Sequence, residues 1–227
     1  MGGVITCLLI ICIQTALLYK SRYINYLLYH FQITENYTPQ DRYCIASWTN
    51  TLEKLNLETD AVFFGNSITR GSSFQDYFPD KKIVNLGYSG DGIQGMIRRV
   101  AQVRAVNPKK VFVMAGVNDM KYMNDTRFET KYSQLVDSLL TIVTPNDLYL
   151  QSILPVNSAF EIDNQKILER NKIIEKLAKV KGVNYINLHS LYAVNGELPD
   201  ELTKDGIHLR PAAYERWAEA IKRYIYD

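Results

Sequence analysis

The sequence predicts an α/β domain built as a three-layer, flavodoxin-like, doubly wound sheet of five parallel strands. Two observations predict it. Short apolar runs alternate with longer amphipathic ones along most of the chain, the pattern of βα units stacked into a parallel sheet. Proline and glycine punctuate the chain where the amphipathic runs end. The composition agrees, since 227 residues with 47% hydrophobic and 22% charged side chains suit one globular domain with a buried core.

The folded domain is expected to begin near residue 38, where Thr38-Pro39-Gln40-Asp41 reads as a turn. Residues 41–55 then have helical spacing, with Tyr43, Trp48, Leu52 and Leu55 on an inward face. The strands are expected at 61–65 (AVFFG), 82–86 (KIVNL), 111–115 (VFVMA), 148–153 (LYLQSI) and 183–188 (VNYINL), each rich in β-branched or aromatic residues. Helices are expected at 93–106, 127–143 and 164–180. Asn107-Pro108 and Thr144-Pro145 close the first two, because proline disfavours the helical conformation of the residue before it, and Gly182 closes the third. A last helix starts at Pro211, a favoured first-turn residue, and runs through Trp217 and Ile221.

Ahead of this domain, residues 1–19 carry no charged side chain and 4–18 (VITCLLIICIQTALL) are mostly aliphatic. That stretch reads as a membrane segment, a little short of the ~20 residues that span a bilayer core comfortably. A cleavable signal peptide is the rival reading, but there is neither a basic n-region nor a clean A-x-A site. A core helix interrupted by Thr6, Gln14 and Thr15 is a third. The expected organisation is an anchor or signal segment at 1–22, a linker at 23–37 and the folded domain at 38–227. The aromatic stretch 23–31 (YINYLLYHF) suits a membrane interface.

The charge excludes some functions. A formal net charge of +2 arises from 26 basic and 24 acidic residues interspersed along the chain, so no basic face for nucleic acid stands out. Three cysteines, Cys7, Cys12 and Cys44, form no CxxC pair, which argues against a zinc site or a disulfide framework. The loop after the first strand matches neither G-x-x-x-x-G-K-[ST] nor G-x-G-x-x-G, which argues against a nucleotide binder.

Open α/β sheets bind ligands at the carboxyl ends of their strands. Gly65-Asn66-Ser67-Ile68-Thr69 follows the first strand, Gly87-Tyr88-Ser89-Gly90-Asp91 the second and Gly116-Val117-Asn118-Asp119 the third, so unusual residues gather on one edge. A serine hydrolase needs a nucleophile, a base, an acid to orient the base, and donors for the oxyanion. Ser67, just past a buried strand, fits the nucleophile, although Gly and Ser also serve as turn or cap residues. The base comes from His30, His189 or His208. His208 has Asp205 three residues ahead, a spacing that in a tight turn brings the carboxylate to one ring nitrogen. His30 lies beside the apolar leader, and His189, with no carboxylate at that spacing, reads as structural. Asn118 offers a neutral amide donor, and Gly87 permits close backbone approach with its N–H as a further donor.

Taken in order and in strand context, Gly65-Asn66-Ser67, Gly87, Gly116-Val117-Asn118-Asp119 and Asp205-Gly206-Ile207-His208 resemble the four blocks of the SGNH hydrolases, also called GDSL-like lipases or acylhydrolases. The stretch 85–91 (NLGYSGD) looks like the branch holding platelet-activating-factor acetylhydrolase-like enzymes and bacterial carbohydrate esterases. The resemblance implies a Ser67–His208–Asp205 triad, an oxyanion hole of Ser67 N–H, Gly87 N–H and the Asn118 side chain, and no metal or organic cofactor. Asn66 departs from the family's usual aspartate before the nucleophile. Thr69 stands where a G-x-S-x-G elbow would carry its second glycine, against the ordinary α/β-hydrolase fold.

The expected activity is hydrolysis of an ester through an acyl-enzyme on Ser67. The branch resemblance and the absence of an obvious apolar lid insertion favour a short acyl group, such as acetyl, on a carbohydrate or cell-envelope glycan. A lysophospholipase, a thioesterase and an O-acyltransferase remain open, as does a non-catalytic glycan-binding module on the same scaffold. Family analogy and the leader point to a membrane-anchored or exported, extracytoplasmic protein, whereas Lys20 and Arg22 after the leader point to the other side by the positive-inside rule.

Overall fold

A computed structural model of the protein describes residues 39–121 and 123–227. Residues Thr49–Asp227 form one compact unit. The chain runs α1 (Pro39–Leu55), β1 (Thr59–Gly65), α2 (Ser67–Arg70), α3 (Phe74–Tyr77), β2 (Ile83–Gly87), α4 (Ile93–Arg98), α5 (Val100–Ala105), β3 (Pro108–Met114), α6 (Asp125–Leu139), β4 (Leu148–Gln151), α7 (Asn164–Lys181), β5 (Asn184–Ile186), α8 (His189–Tyr192) and α9 (Pro211–Tyr226). The five strands form one parallel sheet in the order β2-β1-β3-β4-β5, so the expected flavodoxin-like sheet is present. Successive connections leave β1 toward opposite edges of the sheet, which opens a crevice at the carboxyl ends of β1 and β3.

Each expected strand coincides with an observed one, because runs such as AVFFG are apolar at every position and only a strand covered on both faces buries them all. In register across the sheet, Phe63 pairs with Phe112 and Phe112 with Tyr149. Their rings stack, with centroids 5.1 and 4.6 Å apart. Phe74 stacks on Phe63, and Trp217 of α9 meets Phe74 edge-on at 5.2 Å. One aromatic layer thus fastens the C-terminal helix to the sheet.

The helices depart from expectation in three places. On α1 Leu52 is buried as expected, but Trp48 and Leu55 are exposed and Thr49 is buried, so among the described side chains the expected inward face is partly displaced. The run expected as one helix at 93–106 is two, broken at Arg99, whose backbone leaves helical geometry at φ −111 and ψ 17. At the break the Arg99 side chain turns to Asp91, Leu86 O and Gly65 O. The third is α6, which ends at Leu139 before a turn, so Thr144-Pro145 opens a 3₁₀ turn rather than closing the helix. Gly182 closes α7 in the left-handed conformation, as expected.

The expectation of a membrane-anchored, extracytoplasmic protein is corrected. Among the described residues no helix is long and apolar enough to cross a membrane. The segment 1–22 on which the anchor was placed, and the linker 23–37, lie outside the described residues, so no described element supports attachment through an N-terminal segment.

The aromatic layer yields a stability prediction. Phe112→Ala removes the central ring of the stack and should cost about 3–5 kcal/mol, seen as a lower midpoint of urea unfolding at unchanged m-value.

Candidate active site

β1 ends at Gly65, and the chain turns at once into α2, with Asn66 as its cap. Asn66 is buried, and its Oδ1 accepts from Ile68 N–H at 2.9 Å. Ser67 is therefore the first helical residue, where the backbone N–H has no intrahelical acceptor. The same side-chain cap is open to aspartate. Asparagine provides it without placing a charge in a buried position.

His208 comes from the far end of the chain. The segment 203–209 folds back on itself: Thr203 Oγ1 donates to His208 O at 2.9 Å and accepts from Gly206 N–H at 2.9 Å, while Lys204 N–H donates to His208 O at 2.8 Å. Gly206 adopts φ +92 there, a conformation that suits glycine. Within this loop Asp205 Oδ1 accepts from the His208 N–H at 2.8 Å, and Asp205 Oδ2 lies 2.6 Å from His208 Nδ1. On the other side of the ring, His208 Nε2 lies 2.9 Å from Ser67 Oγ. With the ring proton on Nδ1, Asp205 accepts it and Nε2 is left to accept from the serine hydroxyl. Partial burial pushes the Asp205 carboxyl up, but the His208 N–H, the His208 ring and the Ile207 N–H together outweigh it, so the group stays below its ordinary value.

Asn118 lies in the turn after β3, and its Nδ2 donates to Asp91 O at 2.8 Å, which leaves the second amide hydrogen for another acceptor. Gly87 behaves differently from expectation. A Cβ at this position would lie 2.2 Å from Arg70 N and 2.6 Å from Arg70 Cα, so the missing side chain admits the backbone of α2 rather than a substrate. Its N–H is donated to Asn85 Oδ1 at 2.8 Å.

Asn85 was quoted in the sequence only as part of a motif, yet it clamps this edge. Its Nδ2 donates to Thr69 O at 2.8 Å and Ser72 O at 2.7 Å, tying β2 to the serine helix. Tyr214 was not anticipated either, and its hydroxyl donates to Ile68 O at 2.7 Å. His30 lies outside the described residues. His189 is buried away from this relay, with its N–H on Ser152 Oγ at 2.7 Å and its ring pKa pushed down by burial. Among the described residues no group of three or more His, Cys, Asp or Glu is arranged to hold a metal ion.

A doubly wound sheet with a Ser–His–Asp relay at its carboxyl edge defines a serine hydrolase. The chain belongs to the GDSL-like Lipase/Acylhydrolase family, whose model matches residues 63–216, and it acts as an esterase of that type. Among solved structures, a Streptococcus pneumonia protein provisionally described as a platelet activating factor is 26% identical, covering 80% of this chain and 92% of that one, with a TM-score of 0.71. A GDSL-like lipase from Bacteroides thetaiotaomicron is also 26% identical over 80% of this chain and 98% of its own, with a TM-score of 0.67. A variant of an acetyl xylan esterase from Geobacillus stearothermophilus shares the fold at 19% identity, covering 75% and 96% of the two chains, with a TM-score of 0.61. No match was found among curated proteins.

Asp119 provides a pH prediction. Burial raises its carboxyl; the Ile93 N–H pulls it down, the Asp91 carboxylate raises it again, Arg170 lowers it, and the result is pushed up to about 7. Between its ordinary value of 3.8 and about 7, the folded protein holds a proton that the unfolded chain has released, so this group's contribution to stability falls as pH rises through that window. Asp205, shifted the other way, contributes stability that is lost only on acidification. The Tm of Asp119→Asn relative to the parent should therefore increase from pH 5 to pH 8, measured by thermal unfolding in a common buffer series. A constant difference would show that Asp119 does not titrate there.

Proposed function

We propose that this esterase removes a short acyl group, acetyl foremost, from a carbohydrate through an acyl-enzyme on Ser67. The observation that carries the chemical part is the continuous relay from Asp205 Oδ2 through both ring nitrogens of His208 to Ser67 Oγ. Ser67 Oγ attacks the ester carbonyl carbon while its proton passes to His208 Nε2. The C–O bond to the alcohol then breaks, and that proton leaves with the alcohol oxygen. Water attacks the acyl-enzyme, giving one proton to His208 Nε2, which returns it to Ser67 Oγ as the acid departs. Asp205 stays ionised throughout and holds the imidazolium.

Charge that develops on the carbonyl oxygen falls to Ser67 N–H, to the free amide hydrogen of Asn118 and to Gly87 N–H, which is shared with Asn85 Oδ1. For the substrate, support comes from the likeness in fold to an acetyl xylan esterase and from Tyr88. That side chain is 62% exposed on the loop that leaves Gly87, where its ring offers an apolar face of the kind a sugar ring covers. A lipid ester is the second reading, supported by the likeness to a protein described as a platelet activating factor and to a GDSL-like lipase.

Hydrolysis of para-nitrophenyl esters of increasing chain length, beside release of acetate from acetylated xylo-oligosaccharides, tests this reading. Rates should fall steeply beyond the acetyl ester and vanish in Ser67→Ala. Preference for long chains would move the substrate to lipids, and acetylated acceptor in place of free acetate would identify a transferase. Asn118→Ala should lower kcat by about 10²–10³ and Asp205→Asn by about 10⁴, read from initial rates on the acetyl ester.

A further inference from the structure

Arg99, which breaks the helical run after β2, is 4% exposed and directs its guanidinium at the carboxyl edge of the sheet. Nε lies 2.6 Å from Asp91 Oδ2, Nη1 donates to Leu86 O at 2.7 Å, and Nη2 donates to Gly65 O at 2.8 Å. The Phe64 ring lies against the group, 4.3 Å from Cζ. Gly65 stands two residues before Ser67, Leu86 immediately precedes Gly87, and Asp91 supplies the carbonyl that accepts from Asn118 Nδ2. A single buried side chain is thus bonded directly to the segments that carry Ser67 and Gly87 and, through Asp91, indirectly to Asn118.

We propose that Arg99 is a positioning residue of the oxyanion site, holding Gly65, Leu86 and Asp91, and through Asp91 the Asn118 amide, in fixed register with its planar fork. The proposal rests on the reading of Ser67, Gly87 and Asn118 as the oxyanion donors. Its physical basis is geometric: donors must lie about 2.7–3.1 Å from where the oxyanion forms, and a misplacement of about 1 Å can cost 10²-fold in rate. Arginine suits the task because its donors are fixed in one plane, whereas a lysine ammonium presents a point charge on a flexible stem and cannot span three divergent acceptors. The buried pair with Asp91 does not by itself argue for stability, since ion pairs of this kind often gain little over apolar packing.

The test is a double-mutant cycle in the full chain, with Asn118→Ala made in the parent and in Arg99→Lys, and folding checked by circular dichroism. Arg99→Lys should lower kcat on the order of 10²-fold with KM little changed, because the interaction lost is made in the transition state. Asn118→Ala, costing about 10²–10³ in the parent, should cost less than about tenfold once Arg99 is gone, since a donor already out of place has little left to lose. If Asn118→Ala costs the same factor in both backgrounds, Arg99 only stabilises the fold and the proposal is overturned. If Asn118→Ala costs nothing in the parent, the donor assignment itself fails. Should Arg99→Lys not fold, Asp91→Ala carries the same cycle, because it removes the acceptor of Arg99 Nε and leaves the backbone carbonyl to which Asn118 bonds. An unchanged Asn118→Ala factor in that background equally overturns the proposal.

Discussion

The serine helix lies against the end of β2 with no side chain between their backbones, and the rest of the site depends on that approach. A Cβ on Gly87 would meet Arg70 N at 2.2 Å, so only glycine lets the two segments touch. Once they touch, Asn85 fastens them by two hydrogen bonds to carbonyls at 69 and 72, and Arg99 takes the carbonyls of Gly65 and Leu86 from beneath. Buried carbonyls at strand ends need donors wherever the sheet stops supplying them. Here the donors that satisfy them are also the ones that fix where Ser67 stands.

The second half of the relay is held by a different part of the chain. His208 lies 141 residues beyond Ser67, and its loop is tied mainly to itself, through Thr203 and Asp205. What sets the distance between ring and serine is α9, which follows the loop directly. Trp217 docks that helix on the aromatic layer of the sheet, and Tyr214 reaches Ile68 O beside the serine. The catalytic edge is therefore suspended from the apolar core at two points, β1 and α9, and the 2.9 Å contact between them reports how well the core is packed.

Much of this was legible in the sequence, and the parts that were not have a common cause. Runs such as AVFFG and VFVMA betray buried parallel strands because apolar character at every position has few other uses. Ser67 and Asn118 stand out in the sequence because each follows a strand, and Asp205 and His208 because they share a glycine turn directly before a proline-started helix. Arg99 was hidden inside a helical periodicity that continues on both sides of it, and nothing local marks a side chain that leaves the helix to satisfy carbonyls of other segments. Asn85 and Tyr214 were obscure for the same reason, their partners being distant in sequence. Gly87 was noticed for the right property, close approach, but the approaching group is backbone. On α1, spacing placed Leu52 inward correctly but also Trp48 and Leu55, which are exposed, while tertiary packing buried Thr49, which spacing had not marked.

Two aspartates a few residues from the reacting groups answer burial in opposite ways, and the contrast explains how one edge holds both a charge and a neutral scaffold. Asp205 is half-exposed and receives N–H groups from Ile207 and His208, so the ionised form is favoured where a carboxylate must face an imidazolium. Asp119, the last residue of the turn that carries Asn118, is buried, and its main compensation is the single Ile93 N–H at the start of α4, too little to offset loss of solvent. A second negative charge there, next to Asp91, would oppose charge developing at the Asn118 amide, the oxyanion donor proposed above. With its carboxyl pushed up to about 7 by burial, Asp119 caps α4 through the Ile93 N–H, and Arg99 with Asp91 is the buried ion pair beside that turn.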